Sequence, residues 1–150
     1  MTSRDDRLDV GREIVRAKEA KGLSWQQLAD ELGRSLVWTT SALLGQQPLT
    51  QDQAQQIGAV LGLDGDAIGA LSLPPVRGEA ATDPTEPVTY RFQEALQVYG
   101  TALHELVREE FGDGIMSAID FELEFERVPD PKGDRVKLTW NGKFLPYRVW

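Results

Sequence analysis

The chain contains no cysteine and a single histidine, His104, among its 150 residues. Without cysteine it can form no disulfide, no thiolate metal site and no cysteine nucleophile, and one histidine cannot build a multi-histidine metal site. Long apolar runs are also missing, since no segment approaches the roughly 20 residues needed to cross a bilayer. The start MTSRDDRLDV is too charged for a secretory signal. These absences predict a cytoplasmic protein without membrane contact, whose chemistry depends on carboxylates, hydroxyls and arginine.

Positive charge is also scarce. The formal net charge is −8 at pH 7, so the surface as a whole repels polyanions. Any anion site therefore requires a local cationic pocket. The hydrophobic content of 41% is enough for a packed core, which indicates a globular protein with one ordinary domain or two small ones.

A proline-rich stretch, Leu73 to Pro87, interrupts the periodic apolar pattern and divides the chain. We assign residues 1–75 to a helical bundle, residues 76–87 to a linker and residues 88–150 to a second domain. The small size of the second domain limits how well it can cover its own aromatic residues, because small domains bury a lower fraction of their surface. We therefore expect an extensive homo-oligomer interface.

Capping signals divide the first part into four or five short helices. Ser24 with Gln27, and Thr50 with Gln53, have the spacing of capping boxes, in which a hydroxyl and an amide satisfy each other's backbone donors. Glycines suited to ending the helices stand at Gly22, Gly33, Gly45 and Gly62. The segment Leu23 to Gly45 resembles a helix-turn-helix of the phage-repressor type, with the turn at Gly33 to Ser35.

DNA binding is the rival hypothesis for this bundle, and its charge distribution argues against it. The helix in the recognition position, Leu36 to Leu44, has no charged residue, whereas base reading requires polar or basic side chains. Residues 1–75 hold seven Lys and Arg against ten Asp and Glu, a net charge of −3. We therefore predict a bundle that does not bind nucleic acid, with Trp25 and Trp38 as core or interface anchors.

Residues 88–110 are predicted to form one long amphipathic helix. Apolar residues recur at spacings of three and four, at Phe92, Leu96, Tyr99, Leu103, Leu106 and Val107. Arg91 and Glu94 are three residues apart and so lie side by side on this helix. From the residues alone, the pair fits either a solvated surface ion pair or a shared catalytic site.

The sequence Gly112-Asp113-Gly114 ends the helix, and a tight connection, Ile115 to Ala118, is expected to follow it. Ser117 lies on this connection, where serine commonly acts as a turn or capping hydroxyl. It lacks the flanking glycines of a nucleophile elbow, and His104 is the only histidine that could act as its base. We therefore reject a hydrolase triad and interpret Ser117 as an anion-holding hydroxyl. His104 is interpreted as a surface or interface residue.

A strand pattern follows, because Phe121, Leu123 and Phe125 alternate with three glutamates that are interpreted as solvated. A turn at Pro129 to Asp134 leads to a second apolar alternation, and Asn141-Gly142 fits a type I′ hairpin turn. The chain is thus predicted to be an α+β protein: an N-terminal helical bundle of helix-turn-helix type, then a helix with short antiparallel strands.

Two segments, YRFQEALQVYG (Tyr90 to Gly100) and FGDGIMSAIDF (Phe111 to Phe121), resemble the cyanase (cyanate hydratase) family, as does GKFLP (Gly142 to Pro146). In this family the residues matching Arg91, Glu94 and Ser117 are catalytic. The resemblance implies that the chain joins cyanate to bicarbonate, a co-substrate, and releases carbamate and carbon dioxide. The tail Tyr147 to Trp150 departs from the endings expected in the family.

The same resemblance implies an intertwined dimer, with five dimers forming a decamer and active sites between subunits. It implies no metal, nucleotide or organic cofactor. The alternative is a regulator on the same scaffold, which binds DNA or senses a small anion without turnover.

Overall fold

The computed structural model describes residues 4–78 and 83–150. Residues 79–82, within the expected linker, and residues 1–3 lie outside the described residues. In chain order the elements are α1 (Arg4–Ala20), α2 (Trp25–Leu32), α3 (Leu36–Leu43), α4 (Gln51–Leu61), α5 (Gly65–Leu71), α6 (Pro87–Phe111), β1 (Gly114–Val128) and β2 (Arg135–Pro146). The described residues form two compact units, residues 4–78 with 124–138 and residues 83–123 with 139–150. The α+β class predicted from the sequence is confirmed.

Five helices, α1 to α5, surround a single apolar core in residues 4–78, which confirms the prediction of four or five helices. The largest fully buried apolar side chains are Ile14, Leu28, Leu43, Ile57 and Leu71. Trp25 and Trp38 are partly buried and pack against this core, as expected for anchors.

Local capping sets the helix boundaries. Both predicted capping boxes are confirmed: Gln27 N donates to Ser24 Oγ at 3.1 Å, and Gln53 N donates to Thr50 Oγ1 at 3.2 Å. In each box the glutamine side chain accepts from the backbone N–H of the capping residue. Gly33 ends α2 in the left-handed region with φ of 62°, where a side chain would be strained, so the predicted turn between α2 and α3 is confirmed.

A buried arginine holds three segments of the bundle together. Arg7, on α1, is 7% exposed. Its guanidinium donates to Ala70 O at 2.7 Å, to Gln47 O at 2.8 Å and to Ala42 O at 3.4 Å. Ala42 and Ala70 lie in the last turns of α3 and α5, where the carbonyls carry partial negative charge from the helix dipole. Burial lowers the pKa of the Arg7 guanidinium from its ordinary value, because desolvation disfavours the charged form.

The second half contains one long helix and a two-stranded antiparallel hairpin. The predicted helix over residues 88–110 is confirmed as α6, which begins at Pro87 and ends before Gly112. The predicted turn at Pro129 to Asp134 is also confirmed, since these residues connect β1 to β2. Phe121 and Trp140 pack edge to face across the hairpin with centroids 6.2 Å apart, and Phe111 stacks on Phe144 at 5.1 Å.

Three predictions about the hairpin are wrong. The strands are long rather than short, with 15 and 12 residues. Ser117 lies within β1 rather than on a connection before it. Asn141-Gly142 forms no turn, because β2 continues through both residues and Gly142 is not among the glycines with positive φ. The physical reason is cross-strand packing, which overrides the local turn preference of the Asn-Gly pair.

None of the helices in residues 4–78 and 83–150 has both the length and the apolar character required to cross a membrane.

Candidate active site

The first two turns of α6 bring Arg91 and Glu94 together. Arg91 Nη1 donates to Glu94 Oε2 at 3.1 Å, which confirms that the spacing of three residues makes them neighbours. Their side chains are 67% and 50% exposed. Such an exposed ion pair contributes little to stability, typically about 0–1 kcal/mol. Arg91 and Glu94 are therefore not required for folding and can serve another role.

The guanidinium of Arg91 is oriented from two sides. Its carbon lies 5.2 Å from the centre of the Tyr90 ring, within the range of a cation–π contact, and Glu94 holds one nitrogen. A guanidinium has five N–H donors in a planar fork. Its other donors make no hydrogen bond to any residue within 4–78 or 83–150. They are therefore free to receive the oxygens of a small anion.

Glu86 fixes the start of the helix that carries this pair. Its carboxylate accepts from Thr89 N at 2.9 Å and from Val88 N at 3.0 Å. These hydrogen bonds, that from Thr89 first, hold the pKa of Glu86 below its ordinary value, because they favour the charged form. This cap was not predicted from the sequence. The signal for it was an acidic residue directly before Pro87, a proline at the first helical position.

Ser117 is 4% exposed, and its hydroxyl is held by the backbone that follows it. Ser117 Oγ accepts from Ile119 N at 3.0 Å and from Asp120 N at 2.9 Å. Residues two apart in a regular strand are separated by about 6.6 Å, so β1 must bend locally to allow both bonds. Both lone pairs of the hydroxyl oxygen are thereby used, and the O–H group remains available to donate one hydrogen bond. Such a hydroxyl is suited to binding an anion.

A single chain does not bring Ser117 to the ion pair. No hydrogen bond joins Ser117 to Arg91 or Glu94 within the described residues. The 20 residues from Arg91 to Phe111 rise about 30 Å along α6, whereas the six residues from Phe111 to Ser117 span at most about 22 Å. Contact would require β1 to run back along α6, yet this helix has no buried side chain.

The apolar stripe of α6 is uncovered in the single chain. Its members are 42–64% exposed: Phe92, Leu96, Tyr99, Leu103 and Leu106. Monomeric proteins rarely expose contiguous apolar surface on this scale, so the stripe indicates an interaction surface. His104 is 69% exposed and lies 3.5 Å from Glu105, consistent with its interpretation as a surface or interface residue.

No group of three or more His, Cys, Asp or Glu side chains in the described part of the chain is arranged to hold a metal ion.

Two family models together match nearly the whole chain. The model for the N-terminal domain of cyanate hydratase matches residues 7–75, and the model for the C-terminal domain of cyanate lyase matches residues 81–149. The second match contains Arg91, Glu94 and Ser117.

Relatives show the same similarity over nearly their full length. A cyanate hydratase of Mycobacterium avium is 53% identical over 99% of this chain and 96% of its own length. One from Mycolicibacterium vanbaalenii is 56% identical over 94% of this chain and 93% of its own, and one from Ralstonia pickettii is 51% identical over 96% and 99%. The crystal structure of cyanase from T. urticae superimposes with a TM-score of 0.82 at 40% identity, covering 91% of this chain and 96% of that one. The chain therefore belongs to the cyanate hydratase (cyanate lyase) family.

Proposed function

We propose that this chain is a cyanate hydratase that uses bicarbonate as co-substrate and releases carbamate and carbon dioxide. The observation that carries the proposal is the identity of 53% to a cyanate hydratase over 99% of the chain. The paired Arg91 and Glu94 and the donor-ready hydroxyl of Ser117 supply groups suited to two small anions.

In the reaction, a bicarbonate oxygen attacks the cyanate carbon and forms a dianionic mixed anhydride. Cleavage of the bond between the former bicarbonate carbon and the bridging oxygen releases carbon dioxide and leaves carbamate. The carbamate nitrogen takes one proton from bicarbonate and a second from the surroundings. Carbamate then decomposes without help to ammonia and carbon dioxide.

The principal obstacle is repulsion between the substrates. Two unit charges about 4 Å apart repel by roughly 4 kcal/mol at an effective dielectric of 20. A charge-assisted hydrogen bond returns about 1.5–3 kcal/mol, so a single such bond from Arg91 does not offset the repulsion. Holding both reactants in attack geometry can contribute about 7–11 kcal/mol, so positioning lowers the barrier more than any single hydrogen bond does.

Each side chain receives a role from its surroundings. Arg91 binds and orients the anions through the donors that Glu94 leaves free. Glu94 orients Arg91 and relays the second proton to the nitrogen, because a carboxylate beside bound anions tends to pair with a cation or to take up a proton. The Ser117 hydroxyl donates a hydrogen bond to a substrate oxygen and keeps its proton.

We propose that the site forms between subunits. Three observations support it: Ser117 and the ion pair are apart in one chain, α6 has no buried side chain, and its apolar stripe is exposed. An intertwined dimer of α6 and the hairpin would cover the stripe, and five such dimers would form a decamer. Several Arg91 side chains could then meet the two anions together, without a metal or organic cofactor.

The bundle has a structural role in this proposal. A three-residue turn joins α2 to α3 in the manner of a helix-turn-helix. Its second helix carries no charge, so we propose that it packs and does not bind DNA. A protein with this function would work in the cytoplasm on cyanate.

The test is release of ammonia from cyanate with and without added bicarbonate. We expect bicarbonate-dependent turnover whose kcat/KM falls about 100-fold or more in Arg91→Ala and Ser117→Ala, and less in Glu94→Gln. The matched control is Arg108→Ala, which removes the arginine of another exposed Arg–Glu pair on α6 and should keep full turnover. A folded oligomer without turnover at any bicarbonate concentration would refute the catalytic proposal and leave a regulator as the alternative.

Complementation tests the shared site. Co-expression of Arg91→Ala and Ser117→Ala chains should restore part of the activity, because mixed oligomers contain sites with both native residues. Absence of recovery in oligomers shown to be mixed, or full activity in a monomer, would refute the sharing of sites between subunits.

A further inference from the structure

Gly142 lies in β2 directly against Ser117. A Cβ atom at position 142 would lie 2.5 Å from the backbone carbonyl oxygen of Ser117, 2.5 Å from Met116 Cγ and 3.1 Å from Met116 Sδ. Gly142 does not have a positive φ, so the backbone conformation there does not require glycine. A glycine inside a strand often marks a site where another backbone approaches closely. Space, rather than conformation, therefore accounts for the glycine at this position.

The approach acts on a residue whose hydroxyl is already constrained. Ser117 Oγ accepts from Ile119 N and Asp120 N, so the direction of the hydroxyl depends on the local path of β1. The carbonyl of Ser117 faces Gly142 on the neighbouring strand. Any side chain at position 142 must push on the backbone of Ser117 itself, and a backbone cannot move aside as the end of a flexible side chain can.

We propose that Gly142 is a positioning residue for Ser117. Because Gly142 has no Cβ, β2 packs closely against the bent part of β1 and keeps the Ser117 hydroxyl in the position from which it binds an anion. This inference rests on the proposed function. Ordinary contacts of a Cβ begin at 3.4 Å, so an alanine at 142 must displace Ser117 or β2 by about 0.9 Å. A misplacement of about 1 Å can reduce the rate about 100-fold when catalysis depends on positioning.

The first variant is Gly142→Ala in the full chain. We expect the oligomer to persist and kcat to fall about 100-fold in the bicarbonate-dependent reaction, with a much smaller change in KM. The matched control is Gly114→Ala, where a Cβ would collide with the carbonyl oxygen of Leu145 and lie 2.5 Å from Phe144 Cζ. It disturbs the same hairpin to a similar degree without meeting Ser117, and its kcat should fall less than about tenfold. Equal losses of kcat in the two variants would show that any disturbance of the hairpin lowers activity, and would overturn the proposal.

A double-mutant cycle asks whether Gly142 acts through Ser117. In a Ser117→Ala background, Gly142→Ala should have little further effect on kcat, because the hydroxyl it positions is gone. Multiplicative losses would show that Gly142 acts independently of Ser117 and would overturn the proposal.

Hydrogen–deuterium exchange provides a readout without turnover. The amides of Ile119 and Asp120 donate to Ser117 Oγ, so their exchange should accelerate in Ser117→Ala and in Gly142→Ala but not in Gly114→Ala. Unchanged exchange in Gly142→Ala would overturn the positioning role. If the wild-type protein has no turnover, the proposed function fails, while this measurement still decides whether Gly142 positions Ser117.

If Gly142→Ala alone does not assemble, Met116→Ala/Gly142→Ala replaces it. The second change removes the collision with the Met116 side chain and retains the collision with the Ser117 carbonyl. The double variant should assemble and remain impaired, while Met116→Ala alone stays active. Wild-type activity in the double variant would assign the effect to Met116 and refute the role for Ser117.

Discussion

Replacement of Arg7 by alanine should destabilise the helical bundle far more than replacement of any exposed arginine. Arg7 donates two short hydrogen bonds, of 2.7 and 2.8 Å, to backbone carbonyls, and a third of 3.4 Å. Because the acceptors belong to the ends of α3 and α5 and to the loop after α3, one side chain joins three segments.

The magnitude follows from two opposing contributions. Two charge-assisted hydrogen bonds contribute about 3–6 kcal/mol together. Burial of the guanidinium costs part of this, as the lowered pKa of Arg7 shows, and its Nε has no partner within the described residues. We expect Arg7→Ala to lower the free energy of unfolding by about 2–4 kcal/mol. Arg7→Lys should cost about 1–2 kcal/mol, because an ammonium retains the charge but does not reach all three acceptors.

Urea denaturation of the full chain measures this effect. Trp25 and Trp38 pack against the bundle core, so their fluorescence reports on the bundle once Trp140 and Trp150 are replaced by phenylalanine. If the slope of the free energy of unfolding against urea concentration is the same in wild type and variant, the shift of the unfolding midpoint reports the change in stability.

The control is Arg12→Ala. Arg12 lies on the same helix, is 62% exposed and pairs with Asp9, so its loss should change the free energy of unfolding by no more than about 0.5 kcal/mol. Equal shifts for Arg7→Ala and Arg12→Ala would refute the reasoning that the buried guanidinium holds the three segments together.

Two further predictions concern helix starts. The pKa of Glu86 is depressed in the folded chain, so its stabilising bonds to Thr89 N and Val88 N are present above the unfolded value of 4.5 and lost as the pH falls through the folded value. The thermal midpoint of wild type should therefore exceed that of Glu86→Gln at pH 6, and the difference should shrink as the pH falls below 4.5; a pH-independent difference would contradict this. Ser24→Ala should cost about 1 kcal/mol in urea denaturation, whereas Ser24→Thr keeps the hydroxyl that caps Gln27 N and should stay near wild type. Equal losses in the two Ser24 variants would exclude the cap as the cause.

Several features could be predicted because their causes lie within a few residues along the chain. The capping boxes at Ser24 and Thr50 and the end of α2 at Gly33 depend on hydrogen bonds between residues three to five apart. The same holds for the pairing of Arg91 with Glu94 on one side of α6. The family resemblance also depended on contiguous residues, and the similarity to known cyanate hydratases confirms it.

The errors arose where the cause lies on another segment. Asn141-Gly142 has the local chemistry of a turn, yet β2 continues through it because the strand packs against Met116 and Ser117 of β1. Ser117 was expected on a connection before the strand. In the structure it lies in β1, where its hydroxyl accepts two backbone hydrogen bonds at a bend that the neighbouring residue types did not indicate. The pairing of β1 with β2 determines both the continuation of β2 through Asn141-Gly142 and the position of Ser117 within β1. A short stretch of sequence does not contain the residues of both strands, so it does not show this pairing.

The sequence by itself thus determined the capping boxes that begin α2 and α4, the glycine that ends α2, the α+β class, the family and the candidate residues Arg91, Glu94 and Ser117. Only the tertiary structure decided how Arg7 is used, since its acceptors are 35, 40 and 63 residues away. It also decided why position 142 is glycine. Local structure depends on backbone hydrogen bonds between near neighbours, whereas the burial of a charge and the space for a Cβ depend on which distant segments meet.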